Sequence, residues 1–254
     1  MPQKIIPPAT GHSQRTSTED SRARIADEVE MLSEDSESAG SLTRAAYLRL
    51  RQDILSGDLP PGKKLRLGDL KELYGIGISP LREALNLLTT FDLVERIEQR
   101  GFRVASVGRE EFRDVLEFRC WLEDRMLREA IVRGDASWEE AVLLAGHRLA
   151  RAPRGNAKDS SVSTRWEALH KAFHLSLVSA CGSPLMLRTW HQLYDLNIRY
   201  RRLAAPEAYP ARDINAEHKS ILEAVLSRDA DAAVAVLLDH YRTTGKYLST
   251  QLNT

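Results

Sequence analysis

Apolar positions divide this chain into three regimes. Residues 1 to about 40 are rich in Ser, Thr, Pro, Glu and Asp, and only scattered positions such as Ile25, Val29, Met31 and Leu32 are apolar. Such a stretch cannot bury enough surface to offset its ordering entropy, so it reads as a disordered tail. From Ser41 the pattern tightens. Leu42, Ala46, Leu50, Ile54 and Leu55 describe one helix face that ends at Gly57, and Leu59-Pro60-Pro61-Gly62 makes a rigid connection. Leu70, Leu73 and Tyr74 predict a short amphipathic helix that stops at Gly75. A second helix is predicted behind the glycine turn, with Ser79 as its cap, Pro80 at its first position, and Leu81, Leu85, Leu88 and Phe91 recurring to about Asp92. Leu93 to Ile97 and Phe102 to Val104 then alternate apolar and polar around a turn at Glu98–Gly101, as two half-buried strands do. From Arg109 to Tyr247 the spacing is helical throughout, with breaks at Gly134, at 153–162, at Gly182-Ser183-Pro184, around Pro206 and Pro210, and at Ser227-Arg228-Asp229.

These elements predict a mostly α protein: a winged helix-turn-helix over 41–107, then an all-α bundle of six or seven helices over 109–248. The helix-turn-helix stretch alone is also compatible with two packed helices. The hairpin behind it is what favours DNA, because a winged helix lays the Ser79 helix in the major groove and the Arg100-Gly101 tip on the backbone or minor groove.

Charge supports that placement weakly. The chain balances 36 basic against 36 acidic residues, but residues 1–40 hold 4 basic and 8 acidic, whereas residues 41–107 hold 11 and 8. The basic excess falls on the segment expected to meet phosphate. Two cysteines, Cys120 and Cys181, lie in apolar runs and give no disulfide framework. No apolar run approaches the roughly 18 residues of a membrane span. A cytoplasmic location is expected.

Candidate chemistry lies in the bundle. His170 and His174 are four apart on one helix and can grip one ion, while His218 and His240 sit on separate later helices among apolar neighbours. Four converging imidazoles suit a divalent transition metal; interfacial or surface histidines are the alternative. Arg119, flanked by Phe118 and Trp121, and the Arg199-Tyr200-Arg201-Arg202 run offer guanidinium groups for a carboxylate. The chain has no phosphate-binding loop, dinucleotide fingerprint or nucleophile motif.

In order and spacing, the residues resemble the GntR family of transcriptional regulators, in its FadR/FCD subfamily. The N-terminal part carries Leu50-Arg51, Ile54, Gly57, Leu59, Pro61-Gly62, then Pro80-Leu81-Arg82-Glu83-Ala84-Leu85, Leu93-Val94 and Arg100-Gly101-Phe102-Arg103-Val104. The second part carries Arg119, Leu122-Glu123, Phe173-His174, Cys181-Gly182-Ser183-Pro184-Leu185, Glu217-His218, Ile221-Leu222 and His240. Gly77 to Arg82 and Trp166 to His174 are most similar to the carbon-starvation-induced, glutarate-responsive branch. The resemblance implies a homodimer on a short palindromic double-stranded DNA operator, probed by a small carboxylate effector in the helical domain. It implies DNA contacts by Ser79, Pro80 and Arg82, with Arg49 and the wing residues Arg100, Gly101 and Arg103. Ile78 stands where the family has a DNA-contacting arginine. Metal-binding members use an aspartate and three histidines. Here His174, His218 and His240 match the histidines, and His170 takes the aspartate's place, which favours Zn²⁺ or Ni²⁺ over Mg²⁺. Arg119 and Arg199 are expected to hold the effector. Two rival readings are a metal-dependent enzyme fused to a DNA-binding module, with Glu167 as base, and a dimer that binds DNA without an effector.

Overall fold

A computed structural model describes residues 39–98, 100–154, 160–204 and 212–251. The tail expected over 1–40 lies outside the described residues apart from its last two, as do the centres of the loops expected at 153–162 and around Pro206 and Pro210.

The N-terminal domain is built on α1 (Ala39–Ser56), α2 (Leu67–Tyr74) and α3 (Ile78–Thr89). Leu50, Ile54, Leu81, Leu85 and Leu88 interlock where α3 crosses α1, all of them buried; each such side chain contributes about 1.5–3 kcal/mol by leaving water. The turn between α2 and α3 depends on Gly75, which takes φ +67 and returns its N–H to the Lys71 carbonyl at 3.0 Å. That left-handed backbone is open to glycine at little cost. The expected cap at Ser79 is displaced by two residues toward the N-terminus. Gly77 is the N-cap of α3, its carbonyl accepting from Leu81 N at 3.2 Å, so Ser79 and Pro80 lie within the first turn. Pro80 still costs nothing there, because a first-turn N–H has no intrahelical partner.

The wing is a hairpin of β2 (Val94–Ile97) and β3 (Gly101–Val104), with Gly101 at φ +92 where the turn enters β3. Sequence reasoning missed β1 (Lys64–Leu65), which pairs with β3 through Lys64 opposite Arg103 and Leu65 opposite Phe102 and completes a three-stranded antiparallel sheet in the order β1-β3-β2. Two residues are too short to show alternation.

The second domain contains, among the described residues, six α-helices and a 3₁₀ turn: α4 (Arg109–Arg133), α5 (Ala136–Ala150), α6 (Ser160–Val178), the turn Ser179–Cys181, α7 (Pro184–Ala204), α8 (Ile214–Leu226) and α9 (Ala230–Gln251). Helix α4 packs between α7 and α9, while α5 packs on α6 and α8. Helix α6 begins at Ser160, inside the break expected over 153–162. The domains meet along α1 and α7. Arg51 donates from Nε to the Asp195 carboxylate at 2.9 Å and again from Nη2, and Lys171 of α6 donates to the same carboxylate at 2.9 Å.

Candidate metal centre and nucleic-acid interface

The helix positions bring four imidazoles to one point. His170 and His174 project from α6, His218 from α8 and His240 from α9. One ligand atom from each lies within 4.8 Å of the others, and all four side chains are buried. Burial holds every one of them below the ordinary imidazole range, His218 down to about 2; neighbouring imidazoles and Arg201 add repulsion at His170, His174 and His218, whereas at His240 the Glu217 carboxylate partly opposes the shift. Neutral imidazoles are the metal-binding form.

The outer nitrogens decide which lone pairs face inward. Tyr241 has one hydroxyl proton and donates it to Glu123 Oε2 at 2.6 Å, a carboxylate that can only accept. Its oxygen lies 2.9 Å from His174 Nδ1, so Nδ1–H donates to it and the Nε2 lone pair of His174 is left for the centre. His240 Nδ1 lies 2.7 Å from Glu217, which also can only accept, and the same tautomer follows. Arg212 grips that Glu217 through Nε at 2.8 Å and Nη2 at 2.5 Å. These are the carboxylate-backed histidines that orient metal ligands. His170 differs. Its Nδ1 faces both the Tyr194 hydroxyl at 2.8 Å and Arg201 Nη1 at 3.3 Å, and its Nε2 lies 3.1 Å from His174 Nε2. Arg201 can only donate, so these contacts place the His170 proton on Nε2; ligating a cation requires that proton on Nδ1, where Tyr194 can accept it. Neither ring nitrogen of His218 has a partner.

The donor set suits a tetrahedral transition ion once the widest pairs, up to 4.8 Å apart, draw in. Two nitrogens each about 2.0–2.1 Å from one zinc stand roughly 3.3 Å apart, close to the 3.1 Å between His170 and His174. Four neutral ligands leave the ion's double charge uncompensated, which draws an anion.

Of the two arginines expected at this centre, the structure brings one. Arg119 is fully buried, with Nε on Glu123 at 2.6 Å, Nη1 on Asn197 at 2.9 Å, and its guanidinium 3.9 Å from the centre of the Tyr241 ring. Burial works against its charge, but Glu123 and Tyr241 more than offset that and keep it protonated. Its Nη2 is buried without a partner. Arg199 lies elsewhere: its Nη2 donates to the Ala105 carbonyl in the connection between the domains. From the same helix, Arg201 reaches the centre instead, on His170 and on the Glu167 carboxylate. Two residues along a helix turn a side chain to nearly the opposite face. That ion pair also occupies Glu167, the expected base of the enzyme reading.

On the N-terminal domain, Ser79, Arg82 and Arg100 are exposed, Pro80 is half-buried, and Ile78 is 43% exposed beside them. Arg49, also exposed, donates to the Tyr74 carbonyl at 3.2 Å and so secures the end of α2. Arg103 is drawn into the sheet by its cross-strand neighbour Glu95, through Nε at 3.2 Å and Nη2 at 2.5 Å. Sequence reasoning assigned no site role to Tyr194, Glu217, Tyr241 or Trp166, whose ring stacks on His170 at 4.7 Å. Glu217 and Tyr241 each adjoin a cluster histidine, a signal that was present in the sequence.

Two family models cover most of the described chain. Residues 42–104 match bacterial regulatory proteins of the gntR family, and residues 114–243 match the FCD domain. The chain belongs to the GntR family and carries an FCD domain. The HTH-type transcriptional regulator BphR of Paraburkholderia xenovorans is 37% identical over 80% of this chain and 84% of its own length. The HTH-type transcriptional repressor GlaR of Escherichia coli K12 is 34% identical over 78% of this chain and 91% of its own. Among solved structures, E. coli McbR/YncC superposes with a TM-score of 0.70 at 20% identity, over 84% of this chain and 99% of that one. A GntR regulator from Rhodococcus sp. RHA1 gives 0.65 at 20% identity, over 82% and 97%. These two show the shared fold. The GntR domain makes this protein a DNA-binding transcriptional regulator, and its relatives are named as regulators rather than enzymes. No helix among the described residues is long and apolar enough to cross a membrane.

Proposed function

We propose that this regulator is a cytoplasmic homodimeric repressor. A Zn²⁺ or Ni²⁺ ion held by His170, His174, His218 and His240 binds a small organic acid, a dicarboxylate above all, and the acid controls operator affinity. The observation that carries the reading is the set of four buried, neutral imidazoles, two of them with their inward lone pairs fixed by Tyr241–Glu123 and by Glu217. A cation so held would supply Lewis acidity toward a carboxylate oxygen, and Arg119 keeps its unpartnered Nη2 group for the same ligand. The similarity to a named repressor supports the direction of control. Ser79 and Arg82 on α3 and Arg100 on the wing face the operator, two copies of the chain reading a palindrome. An acid can act only by preferring one arrangement of the paired domains over the other. Such control needs an effector whose affinity differs between the two arrangements.

Elemental analysis of untagged protein tests the centre. About one transition metal per chain in wild type, lost in His174→Ala, is expected from a site that needs its ligands together. Metal retained in His174→Ala, or absent from both, overturns the metal centre and leaves the effector to the arginines.

A further inference from the structure

The helical domain holds a groove of about 530 Å³ between α5 and α8 that the metal centre does not account for. Its walls are apolar, with Leu143 and Leu149 from α5 and Leu222 from α8. Gly146 lets α5 approach the Leu222 wall closely: a Cβ at that position would come within 3.0 Å of Leu222 and 3.5 Å of Phe173. Glycine is a poor helix former, and this one sits inside α5 where a larger residue would displace Leu222 from the groove wall. Across the groove stands His218, a member of the imidazole cluster that is only 6% exposed. Its three fellow imidazoles each have a protein group at Nδ1, whereas both His218 nitrogens are buried and unpartnered. The two nitrogens of an imidazole point away from each other, so one that serves the cluster leaves the other directed away from it. A buried N–H in that state is costly until something accepts from it. Two charged residues also line the groove. Lys219 has a side chain that is 74% exposed, and its nearest acid, Glu223, is 3.7 Å away. Asp213 is already engaged, its carboxylate accepting from Ala216 N at 2.9 Å as the cap of α8.

We propose that this groove is a second binding site, for an amphipathic organic acid. The acid's carboxylate accepts from the outer nitrogen of His218, and its apolar body lies along Leu143, Leu149 and Leu222. In a dicarboxylate the far carboxylate meets Lys219. This site is separate from the Arg119 side of the centre and goes beyond the effector reading. Its coupling to metal rests on that reading; its existence does not. An acid in the groove gives His218 the outer acceptor that Tyr241 and Glu217 give to His174 and His240, so acid and metal strengthen each other's binding by the same factor.

Calorimetric titration of the full-length, zinc-loaded protein with glutarate and with benzoate tests the site. Gly146→Val is expected to weaken both acids by about tenfold or more while leaving metal content unchanged. Lys219→Glu, at an exposed position that leaves folding intact, is expected to weaken glutarate and spare benzoate. In wild type the imidazole nitrogen resonances of His218 should move when either acid is added. Equal binding by wild type and Gly146→Val overturns the proposal, as does a stationary His218 signal under saturating acid, or no binding of either acid to wild type. Loss of acid binding in Arg119→Met alone, with Gly146→Val unaffected, overturns the groove and leaves the effector reading standing.

Discussion

Tyr241 shows how much one side chain can set. Its hydroxyl has a single proton, and giving it to Glu123 obliges His174 to protonate Nδ1 and turn a lone pair inward. Its ring supports Arg119 at 3.9 Å, so the same residue touches both a cluster histidine and the buried guanidinium. Tyr241→Phe keeps the ring and removes the oxygen. We expect a loss of about 10–100-fold in metal affinity, the usual cost of deleting a partner behind a ligating histidine. Competition against a coloured chelator measures it, and unchanged affinity would show that His174 is oriented by packing alone. His170 was legible as a ligand only by its spacing from His174. That Arg201 and Tyr194 both bear on its Nδ1 depends on a neighbouring helix, about which residue spacing says nothing.

At the scale of elements, α3 and α7 do different work. Helix α3 buries Leu81, Ala84, Leu85 and Leu88 and leaves Arg82 exposed, which the helical period of the sequence predicts directly. A bidentate arginine–guanine contact is worth about 1–3 kcal/mol of discrimination. Arg82→Ala should therefore weaken operator binding by roughly tenfold or more without changing the dimer. Fluorescence anisotropy on operator DNA, run beside sedimentation, separates the two. Intact affinity would remove α3 from base reading. Helix α7 has no such simple face. Within eight residues Tyr194 meets His170, Asp195 meets Arg51 and Lys171, Asn197 meets Arg119, Arg199 meets the Ala105 carbonyl, and Arg201 meets Glu167. It touches the imidazole cluster and the DNA-binding domain together, one helix contacting both. Its sequence reads only as an amphipathic helix rich in arginine.

At the scale of the molecule, the stability of the metal-free chain should follow the buried histidines. Their folded-state pKa values lie below the ordinary 6.5, with His218 near 2 and His191 near 4. Between those values and 6.5 the unfolded chain binds protons that the folded chain refuses, so stability is lost as pH falls through about 6.5. Each fully shifted imidazole can remove about 1.4 kcal/mol per pH unit below that point. Glu217, held down to about 2, contributes stability above 4.5 that fades as pH falls toward 2. Denaturant titrations at pH 7.5 and 5.5 should give a clearly lower midpoint at 5.5; equal midpoints would mean that the imidazoles are not buried neutral. The sequence by itself determined the winged helix, the helical bundle, the family and the four histidines, because apolar periodicity and motif spacing are local properties of a chain. Tertiary structure decided the rest. It added β1, which is too short to carry a period, and paired Arg103 with Glu95 across the hairpin. It sent Arg199 to the domain connection and Arg201 to the centre, and left His218 bordering an open groove. Each of these depends on which side chain of one helix or strand meets which of another, and that is fixed only when the elements pack.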